Sequence, residues 1–320
     1  MYNCAMENFE NTRNGNAPQP QKGFALPLGA KAGGLSYSVT VLINLIVSII
    51  FSGVILIFNL TGTDGEKYIS LLVSPVAIAV VLTLALKVAK QPARRLLPVK
   101  THPKYYLIGA LLIFGLLFSL SSVNEYLIKL FELLGYQRRE SFLPDMSGWK
   151  IVPVFIAIAV IPPVMEEIIF RGILLQNAEE DVGSVRAIFI TGLCFSLYHG
   201  SVEQTVYQFI CGCLFAFLAV RSRSVLPSLM MHFINNALII ILMACGATDP
   251  QSGEIIMSDA VNIALTVLSA AALIGGTVWL VLDKTQLKEC RKGGVKAFFI
   301  FASVGIGVMV VMWVAGLFIS

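Results

Sequence analysis

The sequence predicts an all-α protein, a polytopic transmembrane bundle of eight or nine membrane helices. Hydrophobic residues make up 57% of its 320 residues and charged residues only 13%, and the mean hydropathy is +0.80. A soluble globule needs more polar surface than this composition supplies. A bilayer core of about 30 Å is crossed by about 20 apolar residues in a helix, and the chain contains a series of such stretches.

Nine apolar segments have the length, or nearly the length, of a membrane helix. The fifth is short, and the chain shows no internal repeat and no long low-complexity linker. We therefore expect a single bundle, with helices near 36–60, 68–88, 105–128, 149–178, 186–200, 204–221, 225–246, 260–282 and 296–318.

These segments divide the chain into four regions. Residues 1–35 are polar and interrupted by Gly and Pro, so they are interpreted as a flexible cytoplasmic tail rather than a secretory signal. Residues 36–104 hold two membrane helices and a basic loop, and residues 247–320 hold two further membrane helices. The region between them, 105–246, carries the motifs described below and is interpreted as the catalytic core.

Lysine and arginine are concentrated in alternate loops. Together with the N-terminal tail, the loops at 87–104, 179–186, 221–224 and 284–296 hold 17 of the 23 Lys and Arg residues. The positive-inside rule therefore predicts that the N-terminus and these loops are cytoplasmic, in an integral protein of a bacterial cell membrane. The exception is 129–150, which is basic although it falls on the other side.

The expected partners are the lipid bilayer and a peptide or protein substrate at the membrane. The basic residues are scattered among apolar segments, so no nucleic-acid partner is expected. The six cysteines show neither metal-ligand nor redox spacing. No cofactor and no metal are expected.

The first candidate motif is a carboxylate pair followed by an arginine in the fourth apolar segment. Ionisable side chains within a bilayer cost several kcal/mol unless they are paired or face water. Glu167 and Arg171 are four residues apart, which places them on one helix face as an ion pair. Glu166 is rotated by about 100° from Glu167. We therefore assign Glu167 and Arg171 to structural support and Glu166 to chemistry. Pro162 and Pro163 are expected to break or restart the helix.

Two of the three histidines also lie in apolar segments. His199 follows Phe195 by one helical turn, and His232 precedes Asn236 by one turn. Counting about 1.5 Å of rise per residue from the nearest predicted cytoplasmic charge places Glu166, both histidines and Asn236 roughly 14 to 22 Å into the membrane. These four side chains are therefore expected to share one layer near the membrane centre.

A glutamate, two histidines and an amide in a partly dry cavity form a plausible hydrolytic site. Glu166 is the candidate general base for a water molecule that His199 holds or shares. His232 and Asn236 are the candidate donors to the oxygen that becomes negative as the peptide carbonyl turns tetrahedral. The cavity is expected to open toward the cytoplasm.

The motifs resemble those of the CAAX protease and bacteriocin-processing family, which includes the type II CAAX prenyl endopeptidases. That family carries Glu-Glu-x-x-x-Arg, Phe-x-x-x-His and His-x-x-x-Asn on three membrane helices. The corresponding residues here run from Glu166 to Arg171, from Phe195 to His199 and from His232 to Asn236.

The resemblance covers about 105–246 and implies the same four catalytic residues, with Phe195 in support and no essential metal. It implies an intramembrane glutamic endopeptidase. The substrate it implies is a membrane-associated peptide of lipidated or bacteriocin type. Neither the substrate's identity nor the oligomeric state follows from it.

Other interpretations of the same residues stay open. Two histidines and a glutamate suit a zinc metallopeptidase, although His-Glu-x-x-His is absent. Intramembrane carboxylates and histidines also form the relays of proton-coupled transporters. A membrane immunity or partner protein would use them without catalysis, as bridges between helices.

Glu125, Glu132 and Glu203, near helix ends on the outer side, are interpreted as solvated.

Overall fold

The computed structural model describes residues 29–90, 99–133, 135–138, 143–248 and 255–318. Within these ranges the chain forms nine helical rods and no strand, apart from one antiparallel bridge between Thr248 and Ile255. The rods are α1 (Ala30–Ile57), α2 (Asp64–Ala89), α3 (Lys104–Leu133), α4 (Gly148–Val182), α5 (Ser184–His199), α6 (Thr205–Ser222), α7 (Leu226–Ala244), α8 (Asp259–Leu282) and α9 (Gly294–Gly316).

Eight of the nine rods in the described ranges are long and apolar enough to cross a bilayer. The predicted all-α polytopic bundle is confirmed, and the protein is an integral membrane protein. The remaining rod is α5, the helix predicted to be short, with 16 residues. At about 1.5 Å per residue it is roughly 24 Å long, less than the hydrocarbon core of a bilayer.

The first helix begins at Ala30, six residues before the predicted start. The Asp181 carboxylate at the end of α4 accepts a hydrogen bond of 2.9 Å from the Ala30 N–H, which satisfies one of the amides at the start of the helix. This tertiary contact extends α1 into the region interpreted as a tail. Residues 1–28 of that tail and residues 91–98 of the basic loop lie outside the described residues.

The bundle has two distinct ends. We call the end that carries the loops after α2, α4, α6 and α8 the basic end, because the Lys- and Arg-rich loops lie there. At this end Arg291 pairs with Asp181 at 3.2 Å and Lys104 with Asp283 at 2.6 Å. The opposite end carries the loops after α1, α3, α5 and α7. The position of each site residue can therefore be described along the axis that runs from the basic end to the opposite end.

Glycines bring α5 and α6 together. A Cβ on Gly212 of α6 would lie 2.9 Å from the Cα of Gly192 on α5, and a Cβ on Gly192 would lie 2.4 Å from the sulfur of Cys213. Such close approach of two backbones is open to glycine alone at this crossing. The two short helices thus form a tight hairpin against α4 and α7.

The prolines of α4 widen the helix instead of breaking it. Residues Ile156–Val160 and Ile168–Leu175 are π-helical, and the α-helical segment Ile161–Glu167 between them contains both prolines. The rod is therefore not broken, and its α-helical geometry restarts at Ile161 with both prolines in the first turn. A missing proline N–H can be accommodated by a wider turn and a side-chain donor, and α7 supplies that donor, as described next.

Candidate active site

The Glu167–Arg171 ion pair forms as predicted and is fully buried. The Nη1 atom of Arg171 lies 2.7 Å from Oε1 of Glu167, and both side chains are 0% exposed. Arg171 also donates to the Gly212 carbonyl at 3.1 Å. Its guanidinium lies 4.5 Å from the ring centre of Phe195 and 5.1 Å from that of Phe215. Buried charges need such partners, so this pair ties α4 to α5 and α6.

Glu167 has two further partners that the sequence reasoning missed. Its Oε2 atom accepts a hydrogen bond of 2.8 Å from the Ser228 hydroxyl. Its Oε1 atom lies 3.1 Å from Nδ1 of His232. Ser228 precedes His232 by four residues, so the signal was a polar pair on one face of α7. Glu167 therefore holds the imidazole of His232 as well as the guanidinium of Arg171.

Glu166 lies between the two histidines. Its Oε2 atom is 3.9 Å from Nε2 of His199 and 4.0 Å from Nε2 of His232. The structure thus brings together three predicted catalytic side chains from α4, α5 and α7. Separations of this size are longer than direct hydrogen bonds and suit a bridging water or a polar reactant group.

Phe195 sets the orientation of His199. The Nδ1 atom of His199 lies 2.8 Å from the Phe195 carbonyl oxygen, which can only accept a hydrogen bond. Nδ1 therefore carries the proton in the neutral ring, and Nε2 turns toward Glu166 as an acceptor. The Phe195 ring packs 4.6 Å from the His199 ring and 5.7 Å from the His232 ring, centre to centre.

Asn236 satisfies a carbonyl that the prolines leave without a donor. The residues four and five positions after Ile158 are Pro162 and Pro163, and neither has an N–H. The amide nitrogen of Asn236 donates to the Ile158 carbonyl at 3.0 Å. Its amide oxygen accepts from Asn235 at 3.2 Å. The sequence predicted Asn236 as a donor but not this acceptor.

A cavity of about 520 Å³ contains the site. Glu166, His199, His232 and Asn236 all line it, and so do residues of the opposite end, among them Glu203, Gln204, Thr248, Ile255 and Asn262. The expectation that the cavity opens at the basic end is therefore wrong. The cause is the length of α5, which ends at His199 and leaves a recess on the other side.

Of the outer glutamates predicted to be solvated, Glu132 is exposed and Glu203 half-buried, whereas Glu125 is buried. Glu125 is 5% exposed, and Arg138 contacts its two oxygens at 2.7 and 3.2 Å. Glu203 accepts a hydrogen bond of 2.8 Å from the Tyr136 hydroxyl. Glu125 and Glu203 line the cavity, whereas Glu132 pairs with Arg138 at 3.1 Å. Two of these carboxylates are thus part of the cavity wall.

The comparison with known families matches the part of the chain that contains this site. A profile of the family described as type II CAAX prenyl endopeptidase Rce1-like matches residues 148–238. Residues 148–238 are thus similar to this family. This segment contains α4 to α7 up to Leu238, and hence every residue of the three motifs.

The chain also resembles a curated bacterial protein. It is 27% identical over 92 residues to the Bacillus subtilis (strain 168) protein named "Putative membrane peptidase YdiL". The match covers 28% of this chain and 38% of the relative. No solved structure matches the chain. Both comparisons indicate a membrane peptidase in general terms, and each covers only part of the chain.

Among the residues that the structure describes, no three His, Cys, Asp or Glu side chains are arranged to hold a metal ion. The contacts of His232 show why it does not form a metal site with Glu166 and Glu167. Its Nδ1 atom contacts Glu167, and its Nε2 atom lies 4.0 Å from Glu166. A zinc-bound histidine nitrogen lies about 2.0–2.1 Å from the metal. These side chains would therefore have to move closer to one another to bind a zinc ion.

Proposed function

We propose that the protein is an intramembrane endopeptidase in which Glu166 activates the attacking water. The observation that carries the proposal is the position of one Glu166 oxygen, 3.9 and 4.0 Å from the Nε2 atoms of two histidines on separate helices. The carboxylate is 7% exposed and lies in the wall of a cavity. Water, a base and a peptide carbonyl can meet there.

In the first step a water molecule lies between Glu166 and His199. The unprotonated Nε2 of His199 accepts one hydrogen bond from the water and the Glu166 carboxylate accepts the other. As the water oxygen bonds to the peptide carbonyl carbon, its proton passes to Glu166. The carbonyl oxygen then becomes an oxyanion.

His232 and Asn236 stabilise the oxyanion. Because the Glu167 carboxylate can only accept, the Nδ1 atom of His232 carries a proton. To donate a hydrogen bond to the oxyanion, the Nε2 atom must carry a proton as well. His232 therefore acts as an imidazolium that is paired with Glu167 and faces the oxyanion. Asn236 uses one amide hydrogen for Ile158 and has the second for the oxyanion. Breakage of the C–N bond then returns the proton from Glu166 to the leaving amine.

The substrate is a membrane-associated peptide, of the lipidated or bacteriocin type that the family suggests. A cavity of about 520 Å³ is within the range that buries a small ligand. It is too small for a folded domain, so an extended segment must enter. No cofactor and no metal take part in this mechanism.

The test compares membranes of bacterial cells that produce the intact chain or the Glu166→Gln variant. New peptide termini are identified by mass spectrometry of membrane and released fractions. Loss of a general base lowers the rate by about 10²–10⁴-fold, so termini generated by the intact chain should be absent with Glu166→Gln. The matched control is Glu132→Gln, which removes a carboxylate that does not line the cavity.

The competing functions predict other results. Activity that is lost to a chelator and restored by zinc would indicate a metallopeptidase. Proton flux in liposomes that survives Glu166→Gln would indicate transport. Protection from a bacteriocin that survives both Glu166→Ala and His199→Ala would indicate a non-catalytic immunity protein. Termini that persist with Glu166→Gln would refute the proposed base.

A further inference from the structure

The α5–α6 turn lies within the thickness of the membrane. α5 has 16 residues, which gives a helix of roughly 24 Å against a hydrocarbon core of about 30 Å. It begins at the basic end. The turn at 200–204 that joins it to α6 is therefore set back from the opposite surface.

This turn is polar and irregular. It contains Ser201, Glu203 and Gln204, and Gln204 is exposed. Asn124 of α3 donates to the Glu203 carbonyl at 2.9 Å. Non-helical polar backbone at membrane depth is tolerated where protein buries it or where it lines a water-filled cavity. Glu203 and Gln204 do line the cavity, so water must reach them there.

The other side of the site is closed. One turn from Glu167 and from His199, toward the basic end, Arg171 and the rings of Phe170, Phe195 and Phe215 are at most 1% exposed. The guanidinium lies 5.9 Å or less from all three ring centres. This aromatic plug fills the bundle between the site and the basic loops. Among the described residues, a peptide that passed between these four side chains would have to unpack the core.

We propose that water and substrate reach Glu166 from the end opposite to the basic loops, which is the extracytoplasmic end if those loops obey the positive-inside rule. The polar turn provides the open side and the aromatic plug the closed side. Because the Lys- and Arg-rich loops are predicted to be cytoplasmic, the peptide comes from the outer face of the membrane. This inference rests on the proposed function and narrows its substrate.

The cavity walls define the chemistry of that peptide. α3 and α7 contribute apolar side chains, among them Leu117, Ile128, Ile239 and Leu242, beside polar ones such as Asn124 and Asn236. The α5–α6 hairpin contributes Gln204, Tyr207 and Gln208. The cavity thus combines apolar surface with amide and hydroxyl groups. The matching substrate is an extended amphipathic peptide lying at the outer interface. A prenylated C-terminus in the cytoplasm would meet the closed side.

Thiol labelling tests the side of access without requiring catalysis. Two native cysteines mark the ends, because exposed Cys245 lies at the opposite end and exposed Cys290 at the basic end. In intact bacterial cells, a membrane-impermeant maleimide should label Cys245 and not Cys290. Cys290 should react only after the membrane is permeabilised. The reverse pattern would overturn the extracytoplasmic assignment.

A matched pair on α7 then tests the cavity. Ile239 and Leu238 are neighbours with exposed fractions of 38% and 37%, but only Ile239 is part of the cavity wall. In a chain with Cys4, Cys245 and Cys290 replaced by Ser, Ile239→Cys should be labelled in intact cells. Leu238→Cys, which is not part of the cavity wall, should give no more signal than the parent chain, in which Cys194, Cys211 and Cys213 set the baseline.

The labelling results decide the inference separately from the chemistry. Labelling of Ile239→Cys only after permeabilisation, or no labelling beyond that of Leu238→Cys, would overturn it. Gln204→Cys repeats the measurement at an exposed position if Ile239→Cys does not fold. Adding Glu166→Gln should leave all labelling unchanged. The cleaved bonds found by mass spectrometry should lie on the outer face, and bonds confined to cytoplasmic C-termini would contradict this substrate class.

Discussion

Glu166 and Glu167 are consecutive residues of α4, yet their carboxylates face differently built regions of the bundle. Glu167 faces the region of the aromatic plug and contacts Arg171, Ser228 and His232 at 2.7, 2.8 and 3.1 Å. Glu166 faces the cavity, where the Nε2 atoms of His199 and His232 lie 3.9 and 4.0 Å away. Groups in the first region are at contact distance, whereas groups in the second are spaced for a reactant.

The difference shows how one helix contributes both to the stability of the bundle and to the proposed catalysis. In the plug region each buried charge has a partner, so removal of one partner should cost stability. Around Glu166 the spacing leaves room for water, so removal of the carboxylate should cost activity instead. Each prediction below tests this division between the two regions.

The largest effect is expected from Glu167→Ala. The variant leaves the Arg171 guanidinium buried without its carboxylate, and breaking a buried ion pair in this way costs about 3–5 kcal/mol. The measurement is thermal unfolding of the purified protein in detergent. Glu166→Ala truncates the neighbouring side chain identically and should leave the unfolding midpoint nearly unchanged. Equal destabilisation by both variants would contradict the division.

An intermediate effect is expected from Asn236→Ala. Loss of the donor to the Ile158 carbonyl should lower stability by about 1–3 kcal/mol. Loss of an oxyanion donor should also lower the rate by about 10²–10³-fold. Thermal unfolding and product formation are measured in parallel, because the two losses have different causes.

Pro162→Ala separates these two roles of Asn236. Alanine at 162 restores the N–H that can bond to the Ile158 carbonyl. The double variant Pro162→Ala with Asn236→Ala should therefore recover stability while its rate stays low. Recovery of both stability and rate would show that Asn236 only supports the helix.

The smallest effect is expected at the basic end, at Asp283. Burial raises the pKa of this carboxyl, but the Lys104 ammonium and Thr285 outweigh it and hold the pKa below its usual value. A lowered pKa contributes stability above the unfolded-state value of about 3.9, and that stability is lost as pH falls through the folded-state value. Because Lys104 is partly exposed, Asp283→Asn should cost only roughly 1 kcal/mol at neutral pH.

Unfolding midpoints between pH 3 and pH 7 check this expectation. The intact protein should lose stability below about pH 4, and Asp283→Asn should lose less over the same range. Asp145 provides the control. Its pKa is held at about 2 by Lys150 and Ser147, but the residue is exposed, so Asp145→Asn should change the pH profile less.

Several site contacts followed from local geometry in the sequence. The spacing of Glu167 and Arg171 predicted their ion pair, because positions four apart meet on any helix. Depth counted along each helix placed Glu166, His199 and His232 in one layer, and the structure brings them together. The prolines at 162 and 163 predicted only a break or restart of the helix, and the sequence did not identify the Ile158 carbonyl as an acceptor for Asn236.

The sequence by itself determined the helical class, a count of eight or nine membrane helices and the clustering of the basic loops at one end. Composition and helical periodicity act within each segment, and they need no knowledge of its neighbours. Only the tertiary structure decided that Glu167 holds His232, that Asn236 bonds to Ile158 and that the cavity opens away from the basic end. These features depend on the rotation and axial shift of one helix against another, and on where α5 stops.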